Sequence, residues 1–217
     1  TDRIVQHAFL NIITLRLDKR LSECNYAYRP GRSIFNAISK AQQLRDQGYI
    51  WVLKTDIQAF FDSLSHPKLK QKLTQHIPDA ELRELIYAWI KAEIVDPAIK
   101  DRITLSKGIS QGSVISPLLA NIYLDQFDEE INSIEYQLIR YADDMLVLCR
   151  TPYHIELALN RIQNVLAKLD LKLNEAKTQK TSFEEGFIFL GAVFKGKDVQ
   201  LPDLTGQAKK EQKKLPT

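Results

Sequence analysis

Residues 136–149, YQLIRYADDMLVLC, decide how this chain is read. Two apolar, aromatic-rich runs, residues 136–141 and 145–149, flank the tight sequence Ala142-Asp143-Asp144, the pattern of a β-hairpin. The tip of that hairpin carries two adjacent carboxylates. Asp is common in tight turns for backbone reasons alone, so taken by itself the pair reads as a turn before it reads as a site.

Upstream, residues 49–55 (YIWVLKT) read as a strand that delivers Asp56 at its C-terminal end. Ser65 and Pro67 mark a helix start. Pro78-Asp79 separates that helix from a second, running to about Val95, with Leu82, Leu85, Ile86, Trp89 and Ile90 on one face. A short strand follows near Ile103. From Ser113 to Ile131 apolar residues recur at helical spacing, with Pro117 in the first turn. Downstream, Ala158, Ile162, Val165, Leu166 and Leu169 mark an amphipathic helix before a short strand at residues 171–173. Before all of these, residues 11–21 place Ile12, Ile13, Leu17 and Leu21 at helical spacing. Residues 25–33 then form a loop around Arg29, Pro30 and Gly31, and a helix resumes from Ser33. Residues 50–174 thus run strand, helix, strand, strand, helix, strand, with a helical insertion after the first strand. That is the order of a ferredoxin-like split βαβ layer in an α+β protein. In such a layer the first and third strands are central, which brings Asp56 beside Asp143 and Asp144.

Composition excludes several classes. The chain has 217 residues, Lys+Arg 30 against Asp+Glu 27, and 44% hydrophobic residues, which rules out disorder as the main state. No apolar run approaches the ~20 residues of a membrane-spanning helix. Cys24 and Cys149 lie far apart with no metal-type spacing, which argues against a disulfide scaffold or structural zinc and for a reducing, cytoplasmic setting. The chain opens on Thr1 with no charged-then-apolar leader, so it is expected to be unsecreted and a piece of a longer protein. Residues 1–50 hold eight basic and four acidic side chains, whereas residues 121–144 hold seven acids and only Arg140 in return. The first block should attract anions and the second cations, although charge runs are commonly no more than solvated faces.

Two carboxylates 4 Å apart repel by ~4 kcal/mol at an effective dielectric of about 20, so three converging acids need cations or protons to persist. Magnesium suits them, because it takes a few carboxylates and completes its shell with water and substrate phosphates. Two such ions about 4 Å apart can activate an attacking hydroxyl and neutralise a departing pyrophosphate. The chemistry this points to is nucleotidyl transfer.

Tyr141-Ala142-Asp143-Asp144 between two apolar strands resembles the signature hairpin of reverse transcriptases. Residues 54–64 (KTDIQAFFDSL) resemble the family's first metal-binding block, and residues 107–124 (KGISQGSVISPLLANIYL) are similar to a block of the group II intron-type enzymes. Residues 2–6 (DRIVQ), 28–33 (YRPGRS), 173–178 (LNEAKT) and 189–191 (FLG) follow in the family's order. The resemblance implies a right-hand polymerase. Residues 1–50 would be fingers, 51–66 palm, 67–107 a helical fingers and palm insertion, and 108–202 palm with a primer-grip hairpin. Residues 203–217 would lead towards a thumb or a fused domain, and further fingers would precede Asp2.

It also implies roles residue by residue. Asp56 and Asp143 would bridge two Mg2+ ions, which Mn2+ could replace, with Asp144 and the Ile57 carbonyl completing the ligand set. Lys177 would stand near the departing pyrophosphate as a catalytic group. Phe60, Phe61, Gln111, Gly112 and Tyr141 would form the nucleotide pocket, with the Phe61 ring under the sugar, where it clashes with a 2′-hydroxyl. Read without the resemblance, Phe61 is a core residue. Phe189, Leu190 and Gly191 would grip the primer end, although packing alone would explain the same stretch. Arg3, Arg29 and Arg32 would contact template or primer phosphates. The partners implied are an RNA template, a DNA or RNA primer and dNTPs.

Residues 123–128 (YLDQFD), Gly186-Phe187 and the short stretch between Leu124 and Tyr141 look like the CRISPR-associated branch, which copies RNA into DNA for spacer acquisition and is often fused or bound to the adaptation integrase. The alternative is an intron-encoded maturase and reverse transcriptase acting in splicing and retrohoming, or docking intron RNA. The intact acids argue against docking alone. A nucleotide cyclase also carries metal-binding acids on a ferredoxin-like core, but that class does not account for SQGSVISPLLAN or LNEAKT.

Overall fold

The computed structural model describes residues 2–91, 94–95, 102–103, 106–110 and 112–202. In chain order its elements are α1 (Asp2–Asp18), α2 (Ile34–Asp46), β1 (Trp51–Asp56), the short α3 (Phe60–Ser63), α4 (His66–His76) and α5 (Ala80–Lys91). There follow β2 (Ile94–Val95), β3 (Arg102–Ile103), α6 (Ser116–Ile131), β4 (Tyr136–Tyr141), β5 (Asp144–Cys149) and α7 (Pro152–Lys168). The last are β6 (Gln179–Ser182), β7 (Phe187–Phe189), β8 (Ala192–Lys195) and β9 (Asp198–Gln200). Local chemistry sets several starts. Ser33 and Thr151 accept hydrogen bonds from the third backbone N–H beyond them and cap α2 and α7, and Pro67 and Pro117 occupy first turns.

β4, β5, β1 and β6 form one antiparallel sheet in that order. With β1 and β5 central, this is the ferredoxin-like order. The alternation of β5 explains its unbroken apolar run, since both faces of the sheet are covered. Met145, Val147 and Cys149 join a core with α6 and α7, while Leu146 and Leu148 join a second core with α2 and Phe183, Phe187, Phe189 and Phe194. Burying each such Leu or Ile contributes about 1.5–3 kcal/mol. On the outer edge of β4, the Tyr26 N–H donates to the Arg140 carbonyl at 2.9 Å and the Arg140 N–H donates to the Cys24 carbonyl at 2.8 Å, so the loop after α1 covers that edge.

Four expectations are corrected. Residues 171–173 do not form the fourth strand: Leu173 makes only an isolated bridge to Ile57, and β6 pairs with β1 instead. α5 stops at Lys91, and Ile94 and Val95 pair with Ile103 and Arg102. α1 begins at Asp2 and ends at Asp18; Phe9, Ile13 and Leu17 face the core with Gln6, while Ile12 is exposed. The acid-rich block is not an open cation site along its length, because Asp128 is fully buried against Arg140 and Glu130 is paired with Arg161 and Lys168.

Candidate active site

The two central strands bring the acids together. Antiparallel register pairs Asp56 with Asp144, and Asp143 stands one residue earlier at the hairpin tip. The tip turns through Ala142 at φ 58°, an unusual conformation for a residue with a Cβ. Arg140 holds it there. Its buried guanidinium donates to the Ala142 carbonyl at 2.9 Å and to both carboxylate oxygens of Asp128 on α6 at 2.6 and 2.5 Å.

On the other side of β1, the Asn174 N–H donates to the Asp56 carbonyl at 2.9 Å, and the Thr55 and Thr178 hydroxyls meet at 2.8 Å. This fixes the single helical turn Glu175–Lys177, whose lysine ammonium lies 2.6 Å from Asp56 Oδ2. Ile57, the next residue, bridges Leu173 beside this turn.

Burial, reinforced by the Asp56 charge, pushes the Asp143 carboxyl above its ordinary value. Burial, with Asp143 beside it, does the same to Asp144. The hydrogen bond to Asp56 raises Lys177, keeping the ammonium charged. Asp56 Oδ1 is buried and has no hydrogen-bond partner among the described residues. Hard oxygen donors, one of them unpartnered and two resisting ionisation, fit a divalent cation, and the Lys177 ammonium already acts as a cation on Asp56. The set is open: among the described residues, no three His, Cys, Asp or Glu close into a group that could hold a metal.

The block at residues 106–110 docks against α3. The Gly108 N–H donates to the Leu64 carbonyl at 2.7 Å and the Ile109 N–H to the Phe61 carbonyl at 2.8 Å. Gly108 has φ +82°, and a Cβ there would stand 2.8 Å from the Asp62 carbonyl oxygen, so only glycine fits. Gln6 Oε1 accepts from Ser113 Oγ and from the Val114 N–H, each at 3.0 Å, tying α1 to the start of α6.

The remaining expected residues divide. Phe61 is half-buried, its ring 5.2 Å from that of Phe60. Phe60 itself is buried in the core, which corrects its placement in the pocket lining. Tyr141 is half-buried at the end of β4, Gly112 is exposed, and Gln111 lies outside the described residues. Phe189 is buried in the second core, and Leu190-Gly191 turns between β7 and β8 with both φ angles positive. Arg3 is exposed on α1.

Arg29 is corrected as a phosphate contact. Its buried guanidinium donates to Asp18 Oδ1 at 2.6 Å and to the carbonyls of Asp18, Leu21, Ser22 and Asn25, which uses all its donors in folding the loop. Arg32 is likewise engaged by Glu23 at 2.8 Å and lies over the Tyr26 ring. Sequence reasoning missed the supporting role of Arg140, whose signal was a charge inside an apolar strand run.

Carboxylates on the two central strands of a ferredoxin-like sheet, with a lysine on one of them, form one acidic cluster at the end of that sheet. The chain belongs to the reverse transcriptase (RNA-dependent DNA polymerase) family, which it matches over residues 1–194. Members use divalent metal ions. It is similar to Protein YkfC of Escherichia coli K12, with 31% identity covering 88% of this chain and 60% of YkfC. It is also similar to the group II intron-encoded protein LtrA of Lactococcus lactis subsp. cremoris, with 30% identity covering 78% of this chain and 28% of LtrA. The chain therefore spans less than two thirds of the length of either relative. Telomerase of Candida tropicalis in complex with a fragment of telomeric RNA shares the fold, at TM-score 0.72 and 15% identity over 90% of this chain and 37% of that one. No helix among the described residues is long and apolar enough to cross a membrane.

Proposed function

We propose that this chain is the fingers and palm of an RNA-directed DNA polymerase, adding dNTPs to a primer 3′-hydroxyl on an RNA template with two magnesium ions, for which manganese can substitute. The observation that carries the reading is the register of Asp56 with Asp144, with Asp143 at the adjoining tip. Asp56, Asp143, Asp144 and the Ile57 carbonyl would hold the ions, whose chemistry is to activate the hydroxyl and neutralise pyrophosphate. Lys177, exposed and charged beside Asp56, would meet the leaving group. Phe60, locked in the core, sets the Phe61 ring, which screens the sugar. Residues 1–50 are assigned to fingers, 67–107 to a helical insertion of fingers and palm, and 51–66 and 108–202 to palm, in a cytoplasmic protein. CRISPR spacer acquisition from RNA, with adaptation integrase proteins as partners, is the setting proposed from the sequence. The similarity to LtrA supports a second setting, in group II intron splicing and retrohoming.

Extension of a DNA primer on an RNA template by the natural-length chain, with dNTPs or rNTPs, tests this. The unaltered chain should use dNTPs and Phe61→Ala should also admit rNTPs. No extension at all would favour an RNA-docking role, and unchanged sugar selection would return Phe61 to the core.

A further inference from the structure

Lys54 is a charge inside a central strand that the packing of the fold does not explain. It is half-buried on β1, between the buried Leu53 and Thr55, and lysine is seldom drawn into a fold without a counter-charge. Among the described residues no ion pair includes it, and the lysine that meets Asp56 is Lys177.

Strand alternation fixes the side on which Lys54 stands. Neighbouring residues of a strand point to opposite sides of the sheet. Leu53 packs in the core with α6 and α7, and Val52 in the core with α2 and the phenylalanines, so Lys54 shares the side of Val52 and Asp56. The ladder carries this directly to β5, where Leu146 pairs with Lys54 and Asp144 with Asp56. The sheet has two other cations, Arg140 and Lys180. They pair in register with Met145 and Leu53, on the opposite side, and are neutralised there by Asp128 and Glu156. Lys54 is therefore the one cation that the sheet presents on the side of Asp56 and Asp144.

Its position along β1 is equally specific. Val52 lies in the core covered by Phe187 and Phe189, on which Leu190 also packs, and Asp56 ends the strand. Lys54 stands between them, two residues and about 7 Å from Asp56. A strand whose 3′-hydroxyl reacts at the acids and whose preceding nucleotides are held at Leu190-Gly191 passes over Lys54, and each of its phosphates carries a charge to be neutralised.

We infer that Lys54 contacts a backbone phosphate of the strand that supplies the 3′-hydroxyl, close behind its reacting end. This rests on the polymerase reading above.

The test is binding of a DNA primer recessed on an RNA template to the natural-length chain from about 50 to 200 mM KCl, read beside steady-state extension, for the unaltered protein, Lys54→Met, Lys54→Arg and Asp143→Ala. Lys54→Met should lower the salt slope of binding by about 1 and raise KM for primer–template about fivefold at the low-salt end. KM for dNTP and the magnesium concentration giving half-maximal rate should stay within twofold. Lys54→Arg should keep the original slope. Because the charge is unpaired in the free chain, the unfolding midpoint of Lys54→Met should stay level or rise. An unchanged salt slope in Lys54→Met overturns the inference, and with a shifted magnesium requirement it would make Lys54 a counter-charge to the acids instead. A lowered midpoint in Lys54→Met, or a slope in Lys54→Arg like that of Lys54→Met, overturns it as well. Extension by the unaltered chain that is lost in Asp143→Ala keeps the polymerase reading standing through any of those failures. No extension by the unaltered chain overturns both.

Discussion

Replacing Asp128 by Asn leaves the Arg140 guanidinium buried without its counter-charge. Both side chains of this pair are fully buried, and among the described residues the Arg140 guanidinium otherwise donates to the Ala142 carbonyl at 2.9 Å and to Asn121 Oδ1 at 3.4 Å. Removing one member of a buried ion pair costs about 3–5 kcal/mol. At roughly 2–4 °C per kcal/mol for a chain of this size, the unfolding midpoint should fall by about 6–20 °C. The double replacement Asp128→Leu with Arg140→Met should behave differently. It removes both charges and fills the volume with apolar atoms, so stability should stay close to the original or rise. The Ala142 carbonyl nevertheless loses its donor, and the tip that carries Asp143 loses its anchor. Urea and thermal unfolding, read beside primer extension, separate the two effects: the double variant should fold well and polymerise poorly. Asp128→Asn within about 1 kcal/mol of the unaltered chain would refute the energetic argument. Full activity in the double variant would refute the positioning argument.

Gly108→Ala should destabilise by more than about 1 kcal/mol in urea unfolding, because its Cβ meets the Asp62 backbone at a positive φ; a neutral result would contradict the docking of residues 106–110 on α3. Arg29→Lys should cost at least about 2 kcal/mol through the lost fork of donors, while the salt dependence of RNA binding stays as it was. A salt slope lower by about 1 would instead mark Arg29 as a phosphate contact. Asp143 and Asp144 titrate above their ordinary value of 3.8 in the folded chain. The fold therefore binds more protons than the unfolded chain above about that pH, and their contribution to stability is lost as pH rises through the raised values. Asp143→Asn removes part of that cost and should raise stability at pH 7, as magnesium should in the unaltered chain; a destabilised Asp143→Asn, or indifference to magnesium, would contradict the electrostatic account.

The sheet was legible in the sequence where side chains alternate between two apolar environments, as in β5 from Met145 to Cys149. It was not legible in β6, an edge strand whose buried residues are the small and polar Thr181 and Ser182, and residues 171–173 took its place because leucines are the stronger signal. The start of α1 escaped because Gln6, a core-facing position, is polar and satisfied by α6. The acids could be read as a site only through the resemblance of the surrounding blocks, since Asp143 and Asp144 taken alone read first as a turn. Arg29 misled for a physical reason: the guanidinium fork suits phosphate oxygens and buried carbonyls equally, and only the fold shows which it meets. Arg140 is the converse case, a residue whose importance lies in holding the carbonyl next to Asp143.

The most direct test of the central claim is primer extension on an RNA template with dNTPs and magnesium, comparing the natural-length chain with its Asp143→Ala variant. Extension that disappears in the variant, while RNA binding stays within a few-fold, is the result this account predicts. Extension that persists in Asp143→Ala would contradict it.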